Sequence, residues 1–153
     1  MLKIILFKIF FFEKKDDFLY STIGYKTNKD LYKQAFIHKS SNQKKYNERL
    51  EFLGDAVLSS IIAEFLFLDH PGEEEGFLSK KRSVLISRKH LNMIGRKLIP
   101  KEKIISNLAP LPPNVYGNTI EAIIGAIYID KGLDATKTFV RKKIYNSEYL
   151  EEL

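Results

Sequence analysis

The stretch NERLEFLGDAVLSSIIAEFLFL, residues 47–68, decides the fold class of this chain. It contains no proline, its apolar residues recur at helical spacing, and Pro71 follows shortly after it, so we predict one long helix. Apolar side chains cover most of its circumference, which is typical of a helix buried in a core. The acidic residues that interrupt this pattern are therefore the first candidates for a function.

Three of these acidic residues lie on one side of the helix, namely Glu48, Glu51 and Asp55. At about 100° per residue, they fall within roughly 60° of one another. A carboxylate on a core helix costs free energy unless it is paired with a cation or binds a metal ion. The acidic stripe therefore indicates either buried ion pairs or a metal site.

A second apolar helix is predicted at residues 118–130, within the stretch GNTIEAIIGAIYID. Glu121 is the only charged residue between positions 118 and 129, and it shares a helix face with Asn118, three positions earlier. Gly54 in the first helix and Gly125 in the second have no side chains. We therefore expect the two helix backbones to approach each other closely at these glycines.

Packed in this way, the two helices bring four oxygen-bearing side chains into one cluster: Glu51, Asp55, Asn118 and Glu121. An oxygen-only cluster suits a hard cation such as Mg²⁺, which can activate water and stabilise charge during phosphodiester cleavage. The spacing alone leaves three other interpretations open. In the first, Glu48 is a solvated residue of the first helical turn. In the second, Asn118 and Glu121 form a helix capping box. In the third, Asp55 pairs with a buried arginine.

The rest of the sequence is also helical in pattern, and no segment alternates between apolar and polar residues as a strand does. Four further helices are predicted: residues 28–38, capped by Asn28; residues 77–86; residues 87–98, capped by Ser87; and residues 135–145. Residues 39–46 and the proline-rich residues 107–115 are predicted loops, and Gly132 ends the helix that contains Glu121. The predicted fold class is all-α, with about seven helices.

The composition fits a single domain with an anionic partner. The chain has 153 residues, 44% of them hydrophobic, with a net charge of +6, which favours nucleic acid as a partner. The absence of cysteine excludes disulfides and thiolate metal sites, and it fits a reducing cytosol. The apolar N-terminus, residues 1–15, is interrupted by Lys3 and Lys8 and is shorter than the ~20 residues of a membrane-spanning helix. We predict that it packs on the body of the protein or on a neighbour, without a membrane role.

Four stretches resemble the catalytic (endonuclease) domain of the ribonuclease III family, in order and in spacing. NERLEFLGDAVL at residues 47–58 is similar to the family signature almost letter for letter. The other three are QAFIHKS at residues 34–40, EGFLSKKRSVLIS at residues 75–87 and GNTIEAIIGAIYIDKG at residues 117–132. The resemblance places a catalytic domain at residues 26–150, after a divergent N-terminal segment at residues 1–25.

The resemblance implies a homodimeric enzyme whose subunits supply acidic clusters to a valley that holds double-stranded RNA. It implies hydrolysis of phosphodiester bonds with Mg²⁺ or Mn²⁺, in cytoplasmic RNA processing. The positions that match catalytic metal ligands are Glu51, Asp55, Asn118 and Glu121. Glu48 and Glu75 match further acidic residues that line the valley, with roles in substrate or secondary metal contact. Phe52 matches an aromatic residue that inserts into a socket on the partner subunit.

Two other features have a functional and an ordinary interpretation. The basic run at residues 79–90, which includes Lys80, Arg82 and Arg88, can contact RNA phosphates along a duplex, or it can be a solvated helix face. His38 lies in the apolar first helix, and we predict a hydrogen-bonded structural histidine there.

The sequence departs from the family pattern at Asn118, where the family usually has aspartate. Asparagine keeps a carbonyl oxygen and removes a negative charge. No double-stranded-RNA-binding domain is predicted in the chain. The alternative function is therefore a catalytically weakened or inactive relative that acts as an RNA-binding or ribosomal structural subunit. A dimeric assembly module without an RNA role is a further alternative, which the basic charge and the retained acids disfavour.

Overall fold

The computed structural model describes residues 18–27 and 29–146. Its α-helices are α1 (Asp30–Ala35), α2 (Glu48–Asp69), α3 (Glu75–Leu85), α4 (Arg88–Leu98) and α5 (Pro113–Val140). Residues 18–23 are also helical. Short 3-10 helices occupy Lys39–Ser41 and Lys101–Lys103, and a short π-helix occupies Arg141–Tyr145. The predicted all-α class is thus confirmed.

The centre of the fold is the contact between α2 and α5, the most extensive contact between any two of these helices. A Cβ atom on Gly54 would overlap the backbone carbonyl of Glu121, and one on Gly125 would overlap that of Leu50. The close approach expected from these two glycines is therefore confirmed. Because Gly54 contacts the backbone of Glu121, the acidic residues of α2 and α5 lie beside the same helix contact.

The helix α4 also packs on α5, and it contributes residues to the cavity between α2 and α5. Its N-cap is Ser87, whose hydroxyl accepts a hydrogen bond from the backbone N–H of His90, as predicted. Farther along α4, the side-chain oxygen of Asn92 accepts the backbone N–H of Gly117 at 3.2 Å. This bond attaches α4 to the first turns of α5, directly beside Asn118.

Several predicted boundaries were wrong. The predicted loop at residues 107–115 is too long, because α5 begins at Pro113 and not near Asn118. Proline is tolerated in the first turn of a helix, where its missing N–H would have no partner within the helix. The first helix ends at Ala35 instead of residue 38, because Phe36 and His38 join a backbone contact with Ile105. The helix break predicted at Gly132 is confirmed, with φ 78° at that residue.

The helix α2 is buried on one side only, which corrects the expectation of a helix apolar and buried all round. Phe52 is 81% exposed, Phe67 69% and Leu68 60%. Phe52 and Phe67 lie in one stripe with the small residues Ala56 and Ser60, which are also exposed. This apolar stripe is exposed, with no covering element among the described residues.

Other expectations fall on parts of the chain that lie outside the described residues. They are the packing of the apolar N-terminus and the capping role of Asn28. None of the helices in the described ranges combines the length and the apolar character that crossing a membrane requires.

Candidate active site

One cavity of about 460 Å³ lies where α2, α4 and α5 meet. The predicted acidic residues of α2 and α5 line this cavity together with residues of α4. Its walls are formed by Glu48, Glu51, Phe52, Asp55, Ile86, Arg88, Leu91, Asn92, Gly117, Asn118 and Glu121. The structure therefore brings all four predicted metal ligands to a single cavity.

The electrostatics of this cavity show that its carboxylates lie close enough to repel one another. Burial, and then the charges of Asp55 and Glu51, raise the pKa of Glu121 from 4.5 to about 7. Burial and the charge of Glu48 raise the pKa of Glu51 as well. Groups with shifted pKa values of this kind are typical of functional sites, because the fold must hold like charges together.

Two of the ordinary interpretations of the acids do not fit this geometry. Asn118 lies inside α5, five residues after its start at Pro113, so it is not a helix cap and forms no capping box. Asp55 is exposed on the cavity side and makes no ion pair with an arginine in the described part of the chain. Glu48, in contrast, is bound by Lys39, whose Nζ lies 2.8 Å from a carboxylate oxygen.

The oxygen-bearing side chains in the cavity are of the chemical type that a hard divalent cation prefers as ligands. Three carboxylate residues and Asn118 line the same space, and the mutual repulsion of the carboxylates is the feature that a bound cation relieves. As the side chains stand, no three His, Asp or Glu residues within residues 18–27 and 29–146 are grouped closely enough to hold an ion. Metal ligation by Glu51, Asp55, Asn118 and Glu121 therefore stays a prediction.

The remaining predicted site residues lie outside this cavity in the single chain. Glu75 and Lys80 are exposed on α3, and the hydroxyl of Ser79 donates a hydrogen bond to the Glu75 carboxylate. Arg82 lines a second, smaller cavity between α2 and α3, with Glu64 and Phe67. Their roles in substrate binding remain predictions.

The sequence predicts Arg88 only as one of the candidate phosphate contacts in the basic run, and it gives no indication for Asn92, but the structure places both beside the acids. Arg88 and Asn92, one turn apart on α4, both line the cavity. Asn47 is buried, and its amide donates to the carbonyl of Ala35 at 3.4 Å, which fixes the start of α2. The spacing of Arg88 and Asn92 from the acids in sequence carries no signal, because α4 reaches the site only through tertiary packing.

His38 has the structural role predicted for it. Its Nδ1 lies 2.9 Å from the hydroxyl of Ser40 and accepts the backbone N–H of the same residue. The Ser40 hydroxyl in turn lies 3.0 Å from that of Ser106. This chain of bonds joins the segment after α1 to the loop before α5.

Comparison with known proteins identifies the family of the chain. A family model described as ribonuclease-III-like matches residues 28–148. Ribonuclease 3 of Azobacteroides pseudotrichonymphae is 42% identical over 147 residues, which cover 90% of this chain and 56% of the relative. Ribonuclease 3 of Zunongwangia profunda is 40% identical over 136 residues, covering 82% of this chain and 56% of the relative.

Solved structures give the same result. The nuclease domain of ribonuclease III from Campylobacter jejuni, described for flexibility in its dimer-forming region, matches with a TM-score of 0.77 at 35% identity. That match covers 83% of this chain and 94% of the Campylobacter chain. Dicer from Pichia stipitis matches with a TM-score of 0.61 at 31% identity, over 78% of this chain and 54% of the other.

The chain spans about half the length of the curated relatives it matches. The matched region includes α1 to α5 and every residue that lines the cavity. From the family model and the identities of its relatives, this chain belongs to the ribonuclease-III-like family.

Proposed function

We propose that this chain is the nuclease domain of an endoribonuclease that cleaves double-stranded RNA with the help of divalent metal ions. The observation that carries the proposal is the shared cavity of Glu51, Asp55, Asn118 and Glu121. The relatives, which are named ribonuclease 3, support the reaction class. The finer points, namely the metal and the duplex substrate, rest on the chemistry of the cavity and the charge of the chain.

In this mechanism, Glu51, Asp55, Asn118 and Glu121 would hold the cation. A divalent cation such as Mg²⁺ or Mn²⁺ supplies positive charge and a polarised water for phosphodiester hydrolysis. Glu121 is partly protonated at neutral pH, because its pKa is raised to about 7. It must lose that proton to act as a ligand, so we expect cation affinity to increase as the pH rises through this value.

The proposed substrate is an RNA duplex, bound mainly through its phosphates. The net charge of +6 favours a polyanion, and Lys80 and Arg82 on α3 offer cations outside the acidic cavity. A protein recognises an RNA duplex by its A-form shape and its 2′-hydroxyls. We assign the activity to RNA processing in the cytoplasm, which a chain without cysteine fits.

We further propose that the chain acts as a homodimer through the exposed apolar stripe on α2. Large apolar side chains that lie together on the surface are typical of protein–protein interfaces. The stripe has Phe52 near one end, Phe67 near the other and small residues between them, which lets a second helix approach closely. A two-fold arrangement supplies two cavities, one for each strand of the duplex.

The second candidate function is an RNA-binding subunit without cleavage, and Asn118 is the observation that favours it. An amide in place of a carboxylate removes one negative charge from the cation site. The three carboxylates that remain among the proposed ligands, Glu51, Asp55 and Glu121, favour the enzyme over this alternative.

The decisive experiment incubates the purified chain with a long RNA duplex, with Mg²⁺, with Mn²⁺ and with a chelator. Single-stranded RNA and a DNA duplex of the same sequence serve as substrate controls, and Glu121→Gln serves as the enzyme control. We expect metal-dependent cleavage of the RNA duplex by the wild type and none by the variant. Duplex binding without cleavage under every metal condition would support the second candidate, and cleavage by both proteins would indicate a contaminating nuclease.

A further inference from the structure

Arg88 occupies an unusual position for a cation. It is the first residue of α4, directly after the cap Ser87. Among the cavity-lining residues in the described part of the chain, it is the one cation, and it faces four carboxylates from α2 and α5. Its neighbour Lys89 is also exposed, but it does not line the cavity.

The guanidinium of Arg88 is close enough to act on the acids and yet is bound to none of them. Its charge lowers the pKa of both Glu51 and Glu121, against the burial and repulsion that raise them. No hydrogen bond or ion pair of Arg88 occurs within the described ranges. Lys39, in contrast, is tied to Glu48 by an ion pair. The donors of Arg88 are therefore available to a ligand in the cavity.

We propose that Arg88 is a catalytic residue whose guanidinium binds the non-bridging oxygens of the RNA phosphate that is cleaved. This inference rests on the proposed function, and it places Arg88 in the cavity itself, unlike the cations that follow the flanking duplex. The planar fork of a guanidinium matches two phosphate oxygens at once. Its positive charge offsets the repulsion between the phosphate and the four cavity carboxylates, and stabilises charge on the phosphate in the transition state.

The position of Arg88 also affects cation binding, and this effect distinguishes a role in the cavity from a role at the surface or along the flanking duplex. A fixed positive charge beside the acids opposes the binding of a divalent cation to the same acids. Loss of Arg88 should therefore strengthen cation binding and at the same time weaken cleavage. A surface arginine with no role would affect neither property. An arginine that contacts flanking phosphates would change KM and its salt dependence, and would leave cation binding as it is.

The test compares Arg88→Gln and Arg88→Lys with the matched control Lys89→Gln, which removes one charge from the same turn of α4. Cation binding is followed in the absence of RNA, as the rise in Tm with Mg²⁺ or Mn²⁺ concentration. It is measured at pH 8.5, so that Glu121 is ionised in every variant. Cleavage is followed as kcat and KM on one RNA duplex at saturating Mg²⁺.

We expect Arg88→Gln to lower kcat on the order of 100-fold, with partial recovery in Arg88→Lys, which keeps the charge but loses the fork. The Mg²⁺ concentration for half-maximal stabilisation should fall several-fold in Arg88→Gln, while Lys89→Gln matches the wild type in both measurements. Equal kcat and equal cation midpoints in Arg88→Gln and Lys89→Gln would overturn the inference and leave the proposed function intact. A change in KM alone would also overturn it. Absence of cleavage by the wild type would refute the proposed function and this role together.

Discussion

Gly54 on α2 lies directly against the backbone carbonyl of Glu121 on α5, with no room for a Cβ atom between them. This contact sets the distance between the two acidic helices, because Asp55 follows Gly54 and Glu121 belongs to the opposing backbone. The spacing of the proposed cation ligands is therefore determined by backbone packing, and a single methyl group is enough to change it.

We expect Gly54→Ala to destabilise the protein and to reduce cleavage. Insertion of a methyl group into a packed helix contact costs about 1–3 kcal/mol, and relief of the clash moves Asp55 away from Glu121. Chemical denaturation measures the loss of stability. Gly76→Ala is the control, because a Cβ there meets no atom within 4 Å and alanine is the better helix former. If Gly54→Ala is as stable as Gly76→Ala, the contact does not set the helix spacing.

Glu121→Gln should stabilise the metal-free protein at high pH and abolish cleavage. Since folding raises the pKa of Glu121 from 4.5 to about 7, the stability associated with its protonated form is complete below pH 4.5. That stability is lost as the pH rises through 7. The variant should therefore gain as much as roughly 3 kcal/mol over the wild type at pH 8, and little at pH 4.5. Unfolding free energies across this range measure the difference. A variant that is less stable at every pH would mean that Glu121 is a structural ion-pair partner.

Asn118→Asp should lower the Mg²⁺ concentration needed for half-maximal cleavage. The carboxylate adds a negative charge to the cation site, where the native amide offers a neutral oxygen. Cleavage rate against Mg²⁺ concentration, measured for both proteins, checks this. If the wild type is inactive at every concentration while Asn118→Asp cleaves, the native chain is the RNA-binding subunit and not an enzyme.

Phe52→Asp should convert the proposed homodimer into a monomer. Phe52 is 81% exposed in the single chain, so its substitution removes no core contact, while a buried aspartate in an interface is costly. Light scattering after size-exclusion chromatography gives the mass. Leu133→Asp, at an exposed position of α5 far along the chain from the stripe, is the control and should leave the mass unchanged. A wild type that is already monomeric at micromolar concentration would refute the dimer.

His90 should make the protein less stable in mild acid. Its side chain is fully buried on α4, and burial lowers its pKa below 6.5, an effect that the backbone of Ile144 offsets only in part. The unfolded chain therefore binds a proton that the folded chain does not, so stability falls as the pH drops from about 6.5 towards the folded pKa. The difference in Tm between wild type and His90→Leu, measured at pH 7.5 and 5.5, isolates this effect from that of Glu121. An identical difference at both pH values would contradict it.

The sequence by itself determined the local features of the site. Helical periodicity is a property of neighbouring residues, so it placed Glu51 and Asp55 on one face of α2, and Asn118 and Glu121 on one face of α5. The glycines opposite these acids indicated a close helix contact, and Gly132 indicated the break in α5, because each feature depends on the backbone at that position. The four motifs also indicated the ribonuclease III family, since each motif is a run of adjacent residues.

Only the tertiary structure decided which side of α2 is buried and which residues outside the motifs reach the site. Periodicity gives the angular position of Phe52 and Phe67 but not the element that packs against them, and both are exposed in the single chain. Arg88 reaches the acids because α4 packs on α5, and the Asn92–Gly117 hydrogen bond holds that arrangement. Contacts of this kind join residues far apart in the chain, and they follow from the free energy of packing the whole core, which no local pattern contains.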